Sequence, residues 1–147
     1  MDYAGNIKII NSSDIKFYYR GSDLSNDLIF ISATFKGKKD IKQNIEQKIN
    51  ELLKRKESAQ PLKVRTCGST FKNPENKKAW KLIQDSGCIG MKVGDAQISN
   101  KHCNFFINNG KAKAKDLEKL IFQVKDKVLK NTGVKLELEV QIIGKSL

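Results

Sequence analysis

An amphipathic segment at residues 116–130 constrains the fold of this chain more than any other feature. Its apolar side chains recur at the helical period and form one stripe: Leu117, Leu120, Ile121, Val124, Val128 and Leu129. The pattern predicts a helix that buries this face in a core. Gly133 follows the stripe, at a position where helices commonly end.

Shorter patterns surround this helix. Strands are expected at residues 6–10, 28–35, 91–93 and 104–108, and alternation predicts a final strand over 134–143. A helix is expected from residue 40 to residue 57, with these apolar positions at helical spacing: Ile41, Ile45, Ile49, Leu52 and Leu53. A short helix should end at Gly87, with these side chains inward: Ala79, Trp80, Leu82 and Ile83. Strands and helices without a regular βαβ rhythm predict an α+β fold, in two parts, 1–60 and 61–147.

The charge of the chain is strongly positive. Its 147 residues carry 28 basic and 16 acidic side chains, a formal net charge of +12. Almost all of the basic residues are lysine, and they are spread over every segment, whereas nucleic-acid surfaces concentrate basic residues in one stripe. A solvated lysine-rich surface is therefore expected, and attraction to an anionic small molecule is the alternative. No specific nucleic-acid partner is predicted.

The sequence shows neither a targeting segment nor a set of metal ligands. No run approaches the ~20 apolar residues of a membrane span, and the N-terminus lacks a secretion signal, so a cytoplasmic protein without a membrane partner is expected. Cys67, Cys88, Cys103 and the single His102 are too few and too scattered for a disulfide framework or a metal site. Reduced thiols, mostly buried, are expected.

Five motifs in the second part occur in order and at close spacing. They are GSTFKNP at 68–74, LIQDSG at 82–87, GDAQISNKH at 94–102, NFFIN at 104–108 and LELEVQIIG at 136–144. Together they resemble the C-terminal substrate-binding domain of UDP-N-acetylenolpyruvoylglucosamine reductase, a flavin enzyme family of peptidoglycan precursor synthesis. FYYRGS at 17–22 is similar to that family's Tyr-Arg-x-Ser element, at the end of its FAD-binding region. Residues 1–60 are therefore expected to be the tail of that region.

The resemblance implies an FAD-dependent oxidoreductase. In this family NADPH reduces FAD, and hydride then passes to the enolpyruvyl double bond of the UDP-sugar. The resemblance assigns proton donation to Ser69 and stabilisation of the enol intermediate to Arg20 and Glu139. The positions that match substrate-binding residues are Tyr19, Asn73 and His102.

The residue types suit these roles. A guanidinium offers paired donors to a carboxylate and can stabilise an enolate, whereas a serine hydroxyl needs a proton path and a nearby carbanion to act as an acid. Each residue also has an ordinary alternative: Ser69 as a turn serine, Arg20 as a surface arginine, and Glu139 as a solvated strand position. His102 could equally be a loop histidine that makes one backbone hydrogen bond.

The chain departs from the family pattern in three respects. Asp95 stands at a glycine position, where a carboxylate would oppose binding if the loop approached the substrate diphosphate. Lys113 replaces the usual capping threonine of the last helix, at a cost of about 1 kcal/mol. Gly5, Gly21 and Gly37 are isolated and form no loop for the FAD diphosphate.

These departures shape the functional prediction. We expect the C-terminal part of a reductase, truncated or split, that binds neither FAD nor NADPH by itself and is inactive alone. The chain is then either a working subunit of a split reductase or a decaying remnant of one. As a subunit, its partners would be the UDP-sugar substrate and a separately encoded FAD-binding N-terminal fragment. The alternative is a non-enzymatic basic module that binds nucleotides or nucleic acid.

Overall fold

A computed structural model describes residues 1–144 of the chain. The elements in chain order are β1 (Phe17–Tyr18), β2 (Gly21–Ser22), α1 (Lys42–Ala59), β3 (Arg65–Ser69), α2 (Ala79–Asp85), β4 (Lys92–Val93), β5 (Ala96–Ile98), β6 (Phe105–Asn108) and α3 (Ala114–Thr132). The combination of helices with antiparallel sheets confirms the α+β prediction. The chain forms two compact units, Met1–Ile41 and a second unit that begins at Lys42.

The second unit is built on a four-stranded antiparallel sheet. Its strands are ordered β3-β6-β5-β4, and a two-residue turn, Gly94-Asp95, joins β4 to β5. Helix α3 packs against β4, β5 and α2. The buried hydrophobic cluster formed between these elements is Phe71, Ala79, Ile83, Cys88, Ala96, Ile98, Cys103, Phe106, Leu120, Ile121, Val124, Val128 and Leu136.

Helix α3 confirms the strongest sequence prediction. It buries Leu120, Ile121, Val124 and Val128, and it ends at Gly133, whose left-handed φ of 69° lets its N–H donate to Leu129 O at 2.9 Å. Leu129 itself is 45% exposed, so the predicted stripe is slightly too wide. At the other end, the Asp116 carboxylate accepts the Lys113 N–H at 2.9 Å. This bond satisfies the N–H of Lys113 itself. The lysine side chain has no oxygen and cannot accept a bond from the free N–H groups of the first turn.

The short helix and the short strands also follow the sequence. Helix α2 buries Ala79 and Ile83, one turn apart on a single face, as predicted. Trp80 is 39% exposed, so its inward prediction was wrong, because a seven-residue helix buries only one narrow face here. Strands β4 and β6 lie where strands were expected.

Two predicted strands in the first unit are absent. Residues 6–10 form no strand, and the Asp2 carboxylate instead accepts the N–H groups of Ala4 and Asn6. Residues 28–35 form none either, although Met1 and Ile29 exchange two backbone hydrogen bonds. Phe30 is 74% exposed. A strand requires a paired neighbour, and among residues 1–144 no strand lies alongside this segment.

Helix α1 forms where it was predicted, but its apolar stripe is exposed. None of its residues is buried, and the exposed fractions of the stripe run from 42% at Ile45 to 64% at Ile41. Periodicity therefore predicted the helix correctly, while the packing expected for its apolar face is not seen in the described part of the chain.

The predicted final strand at 134–143 was wrong as a regular element. It makes one isolated antiparallel bridge, between Leu138 and Phe71, flanked by bonds from Lys72 N to Glu137 O and from Glu139 N to Thr70 O. The alternating pattern predicts that Leu136 points into the core, and Leu136 is indeed 1% exposed. The segment is irregular because it meets only the short stretch that follows β3.

None of the helices in the described part of the chain combines the length and apolar composition that crossing a bilayer requires.

Candidate functional site

Ser69 lies at the last position of β3, beside an irregularity in the sheet. The pairing of β3 with β6 shifts register between Thr66 and Ser69, and Ser69 is paired with Phe105. Gly68 adopts a left-handed φ of 85°, a conformation that glycine reaches without strain. The glycine and the bulge together redirect the chain at Ser69, whose side chain is half-buried.

Thr70 and Phe71, which follow the serine, are fixed by Asn104. The side-chain amide of Asn104 accepts the Phe71 N–H at 2.9 Å and donates to Phe71 O at 2.8 Å. Its backbone carbonyl accepts the Thr70 N–H at 2.8 Å. The Phe71 ring is 1% exposed and packs edge-on against Phe106, with centroids 5.9 Å apart. The residues after Ser69 are therefore held by hydrogen bonds and by packing.

Glu139 lies next to this segment. Its N–H donates to Thr70 O at 2.9 Å. Because Thr70 directly follows Ser69, this bond places the backbone of Glu139 close to that of Ser69. Glu139 is half-buried, whereas the neighbouring Glu137 is exposed and forms a surface ion pair with Lys72 at 3.8 Å. The structure thus brings together two of the three predicted catalytic positions, in a half-buried setting.

Asn73 and His102 both make hydrogen bonds to the backbone. The Asn73 amide oxygen accepts the Ala79 N–H at 3.0 Å and so satisfies a free donor at the start of α2. His102 accepts the Asn104 N–H on Nδ1 at 3.3 Å and packs edge-on against Phe105. Burial lowers the pKa of His102 below its ordinary value, although a hydrogen bond to the backbone of His102 opposes part of this effect, so burial favours the neutral ring.

Tyr19 and Arg20 lie in the first unit, in the two-residue turn between β1 and β2. The Arg20 guanidinium lies over the Tyr19 ring, 4.9 Å from its centroid. Arg20 has a left-handed φ of 60°, which is costly for a residue with a side chain. The exposed Tyr18 ring lies over Gly21, so that an added Cβ there would displace the ring.

Asp95 braces a turn. Its carboxylate accepts the Lys111 N–H at 3.0 Å, and its carbonyl accepts the Asn109 N–H at 2.9 Å. Gly94 is the residue of this turn with a left-handed φ, whereas Asp95 is absent from the positive-φ positions among residues 1–144. The aspartate is therefore accommodated without backbone strain at a position where the family has glycine.

Two of the three cysteines are buried where a thiolate is disfavoured. Cys88 and Cys103 are buried, and burial raises the pKa of each thiol, which disfavours the reactive thiolate. Cys67 is exposed, so two of the three thiols are buried, as expected for most of them. Within residues 1–144, no three side chains of His, Cys, Asp or Glu are grouped so that they could hold a metal ion.

The described residues do not fit the FAD diphosphate. A diphosphate cradle needs closely spaced glycines whose N–H groups converge at a helix N-terminus. Gly5 and Gly37 stand alone in open space, and the Cβ position of Gly21 is occupied by the Tyr18 ring.

Comparison with known proteins shows which family the chain belongs to. A family model described as the UDP-N-acetylenolpyruvoylglucosamine reductase C-terminal domain matches residues 60–143. The chain belongs to this family. The match begins close to the predicted start of the second part at residue 61 and includes Ser69, Asn73, His102 and Glu139.

Individual relatives extend the similarity over nearly the whole chain. The UDP-N-acetylenolpyruvoylglucosamine reductase of Pelagibacter ubique is 51% identical over 146 residues, which are 97% of this chain and 48% of that protein. That of Rickettsia bellii is 47% identical over 145 residues, 99% of this chain and 48% of the relative. The chain thus spans about half the length of the curated relatives it matches.

A solved structure agrees. The crystal structure of UDP-N-acetylenolpyruvylglucosamine reductase from Thermus caldophilus superposes with a TM-score of 0.74 at 35% identity, covering 88% of this chain and 46% of that one. The chain therefore corresponds to the C-terminal part of the reductase family in fold as well as in sequence.

Asn104 is the residue at this site that sequence reasoning missed as a contributor. It was treated only as the start of an apolar strand, yet it is 4% exposed and holds the backbone of Thr70 and Phe71. The available signal was an asparagine directly before Phe105 and Phe106, since a polar residue buried at the start of an apolar run requires hydrogen-bond partners.

Proposed function

We propose that this chain supplies the substrate-binding and protonating half of an enolpyruvyl UDP-sugar reductase. Reducing a carbon–carbon double bond beside a carboxylate adds one hydrogen as hydride and one as a proton. The residues of this chain would donate the proton and would stabilise the negative charge that forms before the proton is transferred. The observation that carries the proposal is the bond from Glu139 N to Thr70 O, which keeps Glu139 beside the Ser69 segment in a member of this family.

Ser69 is the proposed proton donor. After hydride addition the adjacent carbon is the carbon of an enolate, and it becomes neutral when the serine O–H breaks and a C–H bond forms. The resulting alkoxide then takes a proton from solvent. A general acid that is correctly placed contributes about 100- to 10,000-fold to a rate. The half-buried position of Ser69 supports this role, because it limits water around the reacting atoms without closing the path to solvent.

Arg20 is the proposed partner of the substrate carboxylate, with Glu139 assisting the enol form. A planar guanidinium can donate two parallel hydrogen bonds to a carboxylate and offset the charge of an enolate. The left-handed backbone at Arg20 supports the assignment, since strain of this kind persists where the position of a side chain matters. Tyr19, Asn73 and His102 are proposed to contact the substrate, with His102 donating from Nε2.

FAD and NADPH are proposed cofactors of the complete enzyme and supply the hydride there. We propose that residues outside these 147 hold them, either in a longer polypeptide or in a separately encoded fragment. The proposal is supported by the share of the relatives that this chain spans and by the poor fit of the described glycines to a diphosphate.

A chimeric protein tests the proposed function. The N-terminal half of the Pelagibacter ubique reductase, fused ahead of this chain, provides the remainder of a full-length relative. The chimera should bind FAD and should turn over NADPH continuously only when the enolpyruvyl UDP-sugar is present to reoxidise the flavin, and this chain alone should do neither. A flavin-loaded chimera that neither binds the sugar nor oxidises NADPH in its presence contradicts the proposal.

Arg20→Lys in the chimera tests the carboxylate contact. A lysine keeps the positive charge but cannot form the paired hydrogen bonds, so kcat for the sugar-dependent reaction should fall while flavin reduction by NADPH is unchanged. Lys63→Arg is a matched control, because Lys63 is an exposed cation that also has a left-handed φ. An Arg20→Lys chimera with unchanged kcat would remove this role.

A further inference from the structure

Asn104 occupies an unusual place at the end of the β3–β6 pairing. It is 4% exposed, and its side-chain amide bonds both backbone groups of Phe71, the N–H at 2.9 Å and the carbonyl at 2.8 Å. An amide group carries a donor and an acceptor in one plane, so it can replace the strand residue that would otherwise pair with Phe71. The side chain thus continues the sheet pairing beyond the register shift in β3.

The same residue also acts through Thr70. The Thr70 N–H donates to the Asn104 carbonyl at 2.8 Å, and the Thr70 carbonyl accepts the Glu139 N–H at 2.9 Å. Thr70 is 3% exposed, so neither bond is readily replaced by one to water. A continuous chain of short bonds therefore runs from Asn104 through Thr70 to Glu139, and Ser69 is covalently joined to its middle.

We propose that Asn104 is a positioning residue that holds Ser69 and Glu139 in register with each other. Its side chain acts through the backbone of Phe71, while its backbone carbonyl bonds the adjacent Thr70, and it contacts no reacting atom. The proposal rests on the proposed roles of Ser69 and Glu139. It predicts that removing the Asn104 amide displaces both residues together while the remainder of the second unit stays folded.

Amide hydrogen exchange of the full chain tests the structural part without any activity. In Asn104→Ala, the Phe71 amide hydrogen loses its acceptor and should exchange at least about 10-fold faster than in the parent, because a buried hydrogen bond is worth about 1.4 kcal/mol or more. The Glu139 amide hydrogen should also exchange faster, because its acceptor, Thr70 O, belongs to the residue next to the released Phe71. The Ile98 amide, bonded to Met91 O at 2.9 Å, should change less than about twofold. Uniform acceleration at all three amides, or none at Glu139, would overturn the proposal.

Two further variants keep the test sharp if Asn104→Ala unfolds. Asn109→Ala is the matched control. Asn109 is exposed, and among the described residues its side-chain amide donates only to the Gln97 side chain. Asn104→Asp keeps an acceptor for the Phe71 N–H but sets a charged oxygen against the Phe71 carbonyl. That conflict disappears when the introduced carboxyl is protonated, because it can then donate.

The pH profile of the chimera separates positioning from mere stability. Below its melting temperature, Asn104→Asp should lower kcat at least about 10-fold at pH 8 and recover part of it towards pH 5, relative to the parent at each pH. A kcat ratio that is constant with pH, or a kcat equal to the parent, overturns the positioning role. If Ser69→Ala has no effect while the exchange result holds, the proposed function fails and the Asn104 network stands.

Discussion

Replacing Asp95 with glycine, the residue that the sequence resemblance implies at this position, should destabilise this protein. The Asp95 carboxylate accepts the Lys111 N–H at 3.0 Å, and the residue sits in the β4–β5 turn without a left-handed φ. Asp95→Gly therefore removes a hydrogen bond and gains no relief of backbone strain. It also adds conformational freedom to the unfolded chain.

The size of the effect follows from these two terms. A hydrogen bond to a charged but half-buried acceptor contributes about 1 to 1.5 kcal/mol, and a glycine in place of a residue with a side chain costs about 0.5 to 1 kcal/mol. The free energy of unfolding should fall by about 2 kcal/mol. For a domain of this size, that loss lowers the urea midpoint by about 1 M.

Urea unfolding of the parent, Asp95→Gly and Asp95→Asn measures this directly. The asparagine variant is the matched control, because its amide oxygen can still accept the Lys111 N–H although the charge is gone. It should lose less than about 0.5 kcal/mol. Equal stability of all three proteins would refute the bracing role of the carboxylate.

The same pair of variants tests whether the charge at Asp95 opposes the substrate. If the turn approaches the diphosphate, both substitutions should lower KM of the chimera for the UDP-sugar by a similar factor, since both remove the negative charge. A KM that is unchanged in both variants would assign Asp95 to the turn alone.

Two other predictions follow from local geometry. Gly21→Ala should displace the exposed Tyr18 ring, seen as loss of the nuclear Overhauser contacts between that ring and residue 21, because the added Cβ would occupy the place of the ring. Gly37→Ala, in open space, should leave the ring contacts and the β1–β2 hairpin unchanged. Exposed Cys67 should react with a thiol reagent at pH 8 much faster than buried Cys88, whose pKa is raised by burial, and equal rates by mass spectrometry would contradict the burial.

Helical periodicity was the most informative feature of the sequence, because a helix completes its own hydrogen bonds. Both α1 and α3 form where the spacing of apolar residues predicted them, even though α1 buries none of its side chains. Strand patterns were less reliable. Residues 28–35 have strong β-propensity and form no strand, since a strand depends on a neighbour that its own residues cannot specify.

The site shows the same division. Ser69 and Glu139 were predicted as site residues from the resemblance, and the structure places their backbones close together. The bonds between the Asn104 side chain and the Phe71 backbone span 33 residues of sequence, and they form only once β3 and β6 are paired. No local pattern around Asn104 could predict which backbone groups it would bond.

The central claim is that Ser69 donates the proton, and Ser69→Ala in the chimera tests it most directly. Stopped-flow absorbance follows two events separately: reduction of the flavin by NADPH, and its reoxidation by the enolpyruvyl UDP-sugar. The substitution should leave the first rate unchanged and slow the second by about 100- to 10,000-fold, because the serine serves only the protonation of carbon. A second rate equal to that of the parent would contradict the account.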